Sequence, residues 1–235
     1  VHLQTQGKVT LIGEGGGYAN YRARNSSYEG AAILIGAKAR NTGDVDGYET
    51  PMTISAGTPG VTIGAENPKV NDGETANRSG FGIFKADRDD SASDADLSEY
   101  DLTINSAGGV SITSQQDIQF ADSQDLNSSG QSENPITANG AITIKTTAGS
   151  ASSQIGAVIN QSNQPINLSS FWGTFSVGSI DNQQGSAITL LAGKGSGNGP
   201  DPATLTNGDL RLYGPITQSG AGVITLKAED DVEIN

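Results

Sequence analysis

The chain holds one histidine, His2, and no cysteine. Nucleophilic chemistry of the Ser-His-Asp or Cys-His kind therefore has a single imidazole to draw on, with no orienting partner beside it. A His-based metal triad and any thiolate site are excluded outright. What remains is oxygen chemistry. Asp87, Asp89 and Asp90 lie close to Asp94, Asp96 and Glu99, and Asp44, Asp46 and Glu49 form a second group. Oxygen-rich loops bind Ca²⁺. The run Asp44-Val-Asp46-Gly47 has the opening of a calcium loop but neither its full loop spacing nor its closing bidentate Glu. Solvated surface charge accounts for both groups without a metal and is the favoured reading. No cofactor is called for, Ca²⁺ is the one ion these loops could take, and its ligands stay unknown.

Paired carboxylates also serve glycosidases, which hold two acids roughly 5–9 Å apart in a cleft. A carbohydrate-active enzyme, lyase or hydrolase, would draw its acids from residues 86–99. Aromatic side chains that could stack on a sugar make up only 5% of the chain. The expectation is accordingly no enzyme and no catalytic residues. Two glycine-rich runs, Gly13–Gly17 and Gly193–Gly199, lack the spacing of a phosphate loop and open no helix, so they read as turns. The Asn-x-Ser triplets at Asn25, Asn77 and Asn127 follow from a Ser- and Asn-rich composition.

One insertion concentrates contact-forming side chains: Tyr18, Tyr21, Arg22, Arg24 and Tyr28. Tyr and Arg combine large contact area with hydrogen bonding and are favoured at interfaces. These five are the candidate partner-binding residues, with a self-packed surface loop as the plainer alternative. Phe171, Trp172 and Phe175 lie beside a regular strand pattern, which favours core or corner packing over a sugar platform.

Charge narrows the partners. Thirteen basic against twenty-six acidic side chains give a net charge of -13. Nucleic acid and anionic membrane surfaces both demand the opposite field. The longest apolar runs, such as Ala31–Ile35, are far too short to span a bilayer. No basic-then-apolar signal segment follows Val1, and the chain stops within a strand pattern at Ile234-Asn235, so both ends read as cuts through a longer protein. The lack of cysteine suits a chain exported unfolded across an oxidising compartment.

The elements that must carry these residues are strands. Apolar-polar-apolar alternation, the mark of a half-buried strand, recurs in thirteen triplets that begin at Val9, Ile33, Met52, Val61, Leu102, Val110, Ile118, Ile142, Ile166, Ile188, Leu210, Ile224 and Val232. No segment keeps a helical period. Ile166, Ile188, Leu210 and Val232 follow one another at a constant step in the numbering, and Ile118, Ile142 and Ile166 at one only slightly longer. A fixed step in this range marks a solenoid. It predicts six strands stacked in one column, Ile118 through Val232. Shorter, equal steps, as from Leu102 to Val110 to Ile118, predict three short strands per coil with Gly, Asn or Asp at the corners.

The expected architecture is thus all-β: a right-handed parallel β-helix of about 22–24 residues per coil, about eight to ten coils, roughly 40–50 Å long. Stretches 13–30, 36–50, 66–80, 86–99, 121–135 and 193–203 break the period and should loop out of it. Residues 1–235 read as one segment, with insertion-rich coils over 1–135 and more regular coils over 136–235.

Two passages align without a gap. Val110-Ser-Ile-Thr-Ser-Gln-Gln-Asp-Ile-Gln-Phe120 and Ile224-Thr-Leu-Lys-Ala-Glu-Asp-Asp-Val-Glu-Ile234 share apolar-x-apolar-x-small-x-x-Asp-apolar-x-apolar. The pattern resembles the repeats of filamentous haemagglutinin-type exoproteins, exported by two-partner secretion. The resemblance implies a scaffold of a secreted or cell-surface adhesin, extracellular on a bacterium. It also implies self-association or neighbouring repeats of the same fibre, with surface glycans or host and cell-surface proteins as partners. A virus tail-fibre or spike segment is a third, weaker reading and would require a trimer.

Overall fold

The structure, a computed structural model, describes residues 2–14, 33–35, 52–66, 83–85, 102–114, 118–121, 126, 134–147, 152–171, 173–193 and 208–235. All nineteen elements assigned there are β-strands, and every strand pair is parallel. The thirteen triplets read from the sequence all begin strands: β2 (Val9–Glu14), β3 (Ile33–Ile35), β4 (Met52–Ala56), β5 (Val61–Glu66), β7 (Leu102–Ser106), β8 (Val110–Ser114), β9 (Ile118–Gln119), β11 (Ile142–Thr146), β13 (Ile166–Ser169), β15 (Ile188–Ala192), β16 (Leu210–Leu212), β18 (Ile224–Ala228) and β19 (Val232–Ile234). Six further strands complete the set: β1 (His2–Gln4), β6 (Ile83–Lys85), β10 (Ile136–Ala138), β12 (Ser152–Asn160), β14 (Thr174–Asn182) and β17 (Ile216–Gln218).

Pairing sorts these strands into three ladders within two sheets. The first ladder stacks Leu3, Ile54, Ile104, Ile136, Val158, Ile180 and Ile216. The second is the seven-stranded sheet, β2-β5-β8-β11-β13-β15-β18. Its inward positions repeat as Val9, Val61, Val110, Ile142, Ile166, Ile188 and Ile224, and again two residues on from Leu11 to Leu226. The third joins Ile33, Ile83 and Ile118, then Ser153, Phe175, Leu210 and Val232, and shares the twelve-stranded sheet with the first. Inward side chains of all three share one buried cluster, in which Ile54, Ile104, Ile112, Ile144, Ile166 and Leu190 are fully hidden. Each such aliphatic group stabilises the fold by roughly 1.5–3 kcal/mol relative to exposure.

Two nine-residue strands, β12 and β14, tie the first and third ladders into a single sheet. In β12, Ile155 pairs with Val177 and Ala157 with Ser179, so the register runs on unchanged while Gly156 and its counterpart Gly178 form its one unpaired position. Inward alternation changes phase there: Ser153 and Ile155 precede the glycine, Val158 and Asn160 follow it, and all four are buried. A residue without Cβ lets one strand pass from one ladder to the next without stopping.

Register corrects one sequence-based expectation. The proposed column runs Ile142, Ile166 and Ile188 as predicted, but continues to Ile224, with Val110 on its other side. Ile118, Leu210 and Val232 belong to the third ladder. The step from Ile188 to Ile224 is accordingly much longer than the one from Ile166 to Ile188. A short hop to the next ladder plus the insertion at 194–207 adds up to one full period, which is why Leu210 looked in line. The steps along the seven-stranded sheet are uneven. The first two steps, Val9 to Val61 and Val61 to Val110, each consume more than twice the chain of a later step such as Ile166 to Ile188.

The link from the first ladder to the second is short everywhere. At its shortest, glycines bring stacked backbones together: Gly60 has φ +89°, and a Cβ on it would collide with the Gly109 carbonyl. At the longer corners 161–165, 183–187 and 219–223, an inward amide takes over. Asn160, Asn182 and Gln218 each donate to a carbonyl across the corner, at Gln164, Ser186 and Gly222. The longest segments, in contrast, all flank strands of the third ladder: 15–32 and 67–82 precede β3 and β6, 36–51 and 86–101 follow them, and 194–207 precede β16.

Candidate functional site

Tyr18, Tyr21, Arg22, Arg24 and Tyr28 lie outside the described residues, as do both acidic groups, Asp44 to Glu49 and Asp87 to Glu99. Trp172 and the triplets at Asn25, Asn77 and Asn127 also lie outside them. What the structure places is the frame these segments leave from. Tyr18 to Tyr28 connect β2 to β3, and Asp87 to Glu99 connect β6 to β7, so both join the third ladder.

His2 sits on the exposed edge strand β1, in register with Thr53, and no described acidic side chain pairs with it. Phe175 is fully buried, in line with core packing, while Phe171 is half-buried and its amide donates to Thr146 Oγ1 at 2.9 Å. Gly13 is not a turn residue: it lies in β2, in register with Ala65. Gly193, at φ +73°, does take the left-handed turn conformation.

One cluster of charged groups is described that sequence reading passed over. Asp209 precedes β16 and is buried, and Arg211 Nη2 donates to its Oδ2 at 2.9 Å. Arg211 Nε lies 2.9 Å from Glu233 Oε2 on the neighbouring strand, where the two residues are register partners. Asp230 and Asp231 bring carboxylate oxygens within 4.8 Å of Asp209. The signal was present: Asp209 and Asp231 are separated by the same step as the register partners Leu210 and Val232, one uninterrupted period. Three carboxylates are the donor type for a hard divalent cation. Here the Arg211 guanidinium already partners the buried member, so the arrangement as it stands is an ion-pair network linking two rungs.

The outward side of the seven-stranded sheet has its own regularity. Thr10, Thr62, Ser111, Thr143, Asn167, Thr189 and Thr225 occupy one registered row between the two inward rows of that sheet. All seven are exposed or half-buried. Parallel rungs lie about 4.8 Å apart, so the row offers hydroxyl and amide groups at the spacing of the backbone repeat. Chemically it can hydrogen-bond a surface; it carries no nucleophile with a base.

Comparison of the chain with protein-family models, with curated proteins and with solved structures yields no match. Among the described residues, no helix is long and apolar enough to cross a membrane, which leaves strand-based crossing unaddressed.

Proposed function

We propose that the chain is a stretch of right-handed parallel β-helix, three short strands per coil, that works as a structural scaffold of a secreted or cell-surface fibrous adhesin. The observation that carries this reading is the common step. Ile136 to Val158 to Ile180, Ile166 to Ile188 and Leu210 to Val232 all advance by the same length of chain, and they belong to three different ladders. Three ladders that advance together, with inward side chains in one core, are what a three-sided coil requires. Right-handed closure follows from the handedness of parallel crossovers. The longer segments then leave from the two corners beside the third ladder, so the coil presents them along one side.

In this role the chain does no chemistry on a substrate. Buried aliphatic ladders keep the rod stiff, and the segments on one side meet surface glycans, host or cell-surface proteins, or sister rods. Export to the bacterial surface fits the absence of cysteine. An antibody raised against the 235-residue chain tests the reading by immunogold electron microscopy of the source cells. Label along thin surface fibres is the expected result. Label confined to compact soluble particles would overturn it and make polysaccharide degradation the next assay.

A further inference from the structure

The corner 139–141 joins β10 to β11. Its backbone is pinned on both sides to the rung before it. The Asn139 amide donates to the Ser106 carbonyl at 2.9 Å, and the Ala141 carbonyl accepts from the Val110 amide at 2.9 Å. Gly140, between them, lies so close to that rung that a Cβ on it would stand 2.6 Å from the Gly109 nitrogen and 2.7 Å from the Gly108 carbonyl carbon. Close backbone approach therefore demands glycine at this position, and that glycine follows an asparagine. Asn139 is exposed, and neither its side chain nor the Gly140 N–H makes a hydrogen bond among the described residues. At every other described asparagine before Asn235 the following N–H is engaged, held within a strand or absent. Gln161 and Gln183, after Asn160 and Asn182, donate to the Ala138 and Asn160 carbonyls, and Gln164, after Asn163, donates to Ser162 Oγ. Asn105 and Asn167 precede residues inside β7 and β13, and Asn134 precedes a proline.

We propose that Asn139 is a self-modification site, at which the Gly140 nitrogen attacks the Asn139 side-chain carbonyl carbon and converts the residue, through a succinimide, to isoaspartate. The N–Cγ bond forms, the Cγ–Nδ2 bond breaks, and the Gly140 proton leaves with the amide nitrogen as ammonia. Water then opens the ring. Attack at the α-carbonyl carbon gives isoaspartate, and attack at Cγ gives aspartate. The absence of a Cβ on Gly140 leaves the attacking nitrogen uncrowded, so the residue that close packing requires is also the one that permits the reaction. Isoaspartate routes the main chain through Cβ and lengthens it between the two bonds that pin the corner. The added length has no room beside Gly108 and Gly109, so the corner lifts from the rung below. Aspartate adds a negative charge to a chain of net charge -13 but leaves the backbone path unchanged. Loss of ammonia makes the loosening irreversible.

The folded wild-type chain, aged at mildly alkaline pH, is followed by peptide mass mapping with isoaspartyl methyltransferase labelling. The Asn139 amide should be lost ahead of that of every other described asparagine, with isoaspartate in excess of aspartate. The same chain aged in urea gives the conversion rate of the unfolded sequence. Asn139→Gln, whose longer side chain closes a larger ring far more slowly, should remove the signal from this corner with an unchanged circular dichroism spectrum. Limited proteolysis reads local opening. It should cut aged wild type between β10 and β11 and leave fresh Asn139→Asp as resistant as fresh wild type. Asn139 that stays intact in the folded chain, whether or not it converts in urea, overturns the site, because the fold then protects the peptide. Aged protein that carries isoaspartate yet keeps full resistance at the corner overturns the loosening. Cleavage of Asn139→Asp equal to that of aged wild type overturns the backbone route and assigns the effect to charge.

Discussion

Asn182 Nδ2 donates to the Ser186 carbonyl at 2.7 Å, and the Ser186 hydroxyl donates to the Gln164 carbonyl at 2.5 Å, with Asn182 Oδ1 3.2 Å from the same Oγ. Both residues are buried. The amide closes the corner 183–187 from inside the core, where no water could replace it. Asn160 sits one rung before Asn182 and Gln218 one rung after, in register, each bonded across its own corner.

Asn182→Ala therefore strips the bond across the corner and leaves the Ser186 carbonyl without this donor. The expected loss is about 1–3 kcal/mol, the cost of an unsatisfied buried polar group, read as a lower urea midpoint at unchanged slope. Asn182→Gln should recover part of the loss, because Gln218 makes the same bond one rung on. An alanine variant as stable as wild type would show that the amide row is incidental.

The shortest corners rely on steric closeness instead, and a matched set of glycines isolates it. A Cβ on Gly57 would collide with the Gln6 carbonyl, and one on Gly108 with the Thr58 carbonyl; on Gly7 it would meet only Thr5 Oγ1, at an ordinary 3.5 Å. Gly57→Ala and Gly108→Ala should each cost roughly 1–3 kcal/mol through backbone displacement, while Gly7→Ala should stay within about 0.5 kcal/mol of wild type. Thermal unfolding of the three variants side by side decides it. Equal shifts at all three positions would remove close rung packing as the cause.

Alternation made strands such as Val61–Glu66 and Ile142–Thr146 legible, because isoleucine and valine face in and threonine faces out. The strands it passed over fail that pattern for identifiable reasons. β12 and β14 turn at Gly156 and Gly178 and change inward phase, so a strict alternation breaks in mid-strand. Their inward faces also include Ser153, Asn160 and Asn182, polar types that read as exposed until a ladder bond from Ile118 and the two corner bonds satisfy them. The recurrent step was correct as a period and misleading as a column, since an insertion before β16 restored the same spacing one ladder too early. The Asp209–Arg211–Glu233 network went unseen because its members are dispersed in sequence and meet only through register. The Tyr and Arg residues at 18–28 were singled out by type, which says nothing about mutual placement.

Leu190 tests the corrected column directly. It is fully buried between Leu168 and Leu226. Leu190→Ala should cost about 2–5 kcal/mol, the transfer and cavity terms of a core leucine. Leu190→Asp places an unpaired charge in the same stack and should abolish protease resistance of the surrounding rungs. Limited proteolysis followed by mass mapping checks both, with cleavage expected first near β15 and its neighbours β13 and β18. Wild-type resistance in the aspartate variant would contradict the ladder.

Arg211 faces one buried and one exposed carboxylate, and the two should behave differently. Asp209 is 6% exposed, while the Glu233 side chain is 42% exposed. An exposed partner is screened by water and adds roughly 0–1 kcal/mol, so Glu233→Gln should leave the unfolding midpoint nearly unchanged. Arg211→Gln removes the cation from a carboxylate that cannot turn to solvent, in a region that also holds Asp230 and Asp231. That variant should lose more than Glu233→Gln does, and the difference should persist at high salt, because a buried pair is screened far less than a surface one. The double variant Asp209→Asn with Arg211→Gln should regain stability by removing the stranded charge. Urea titrations of the three variants at low and high sodium chloride give the comparison. Equal losses for Arg211→Gln and Glu233→Gln would mean that the Asp209 contact contributes nothing beyond a surface pair.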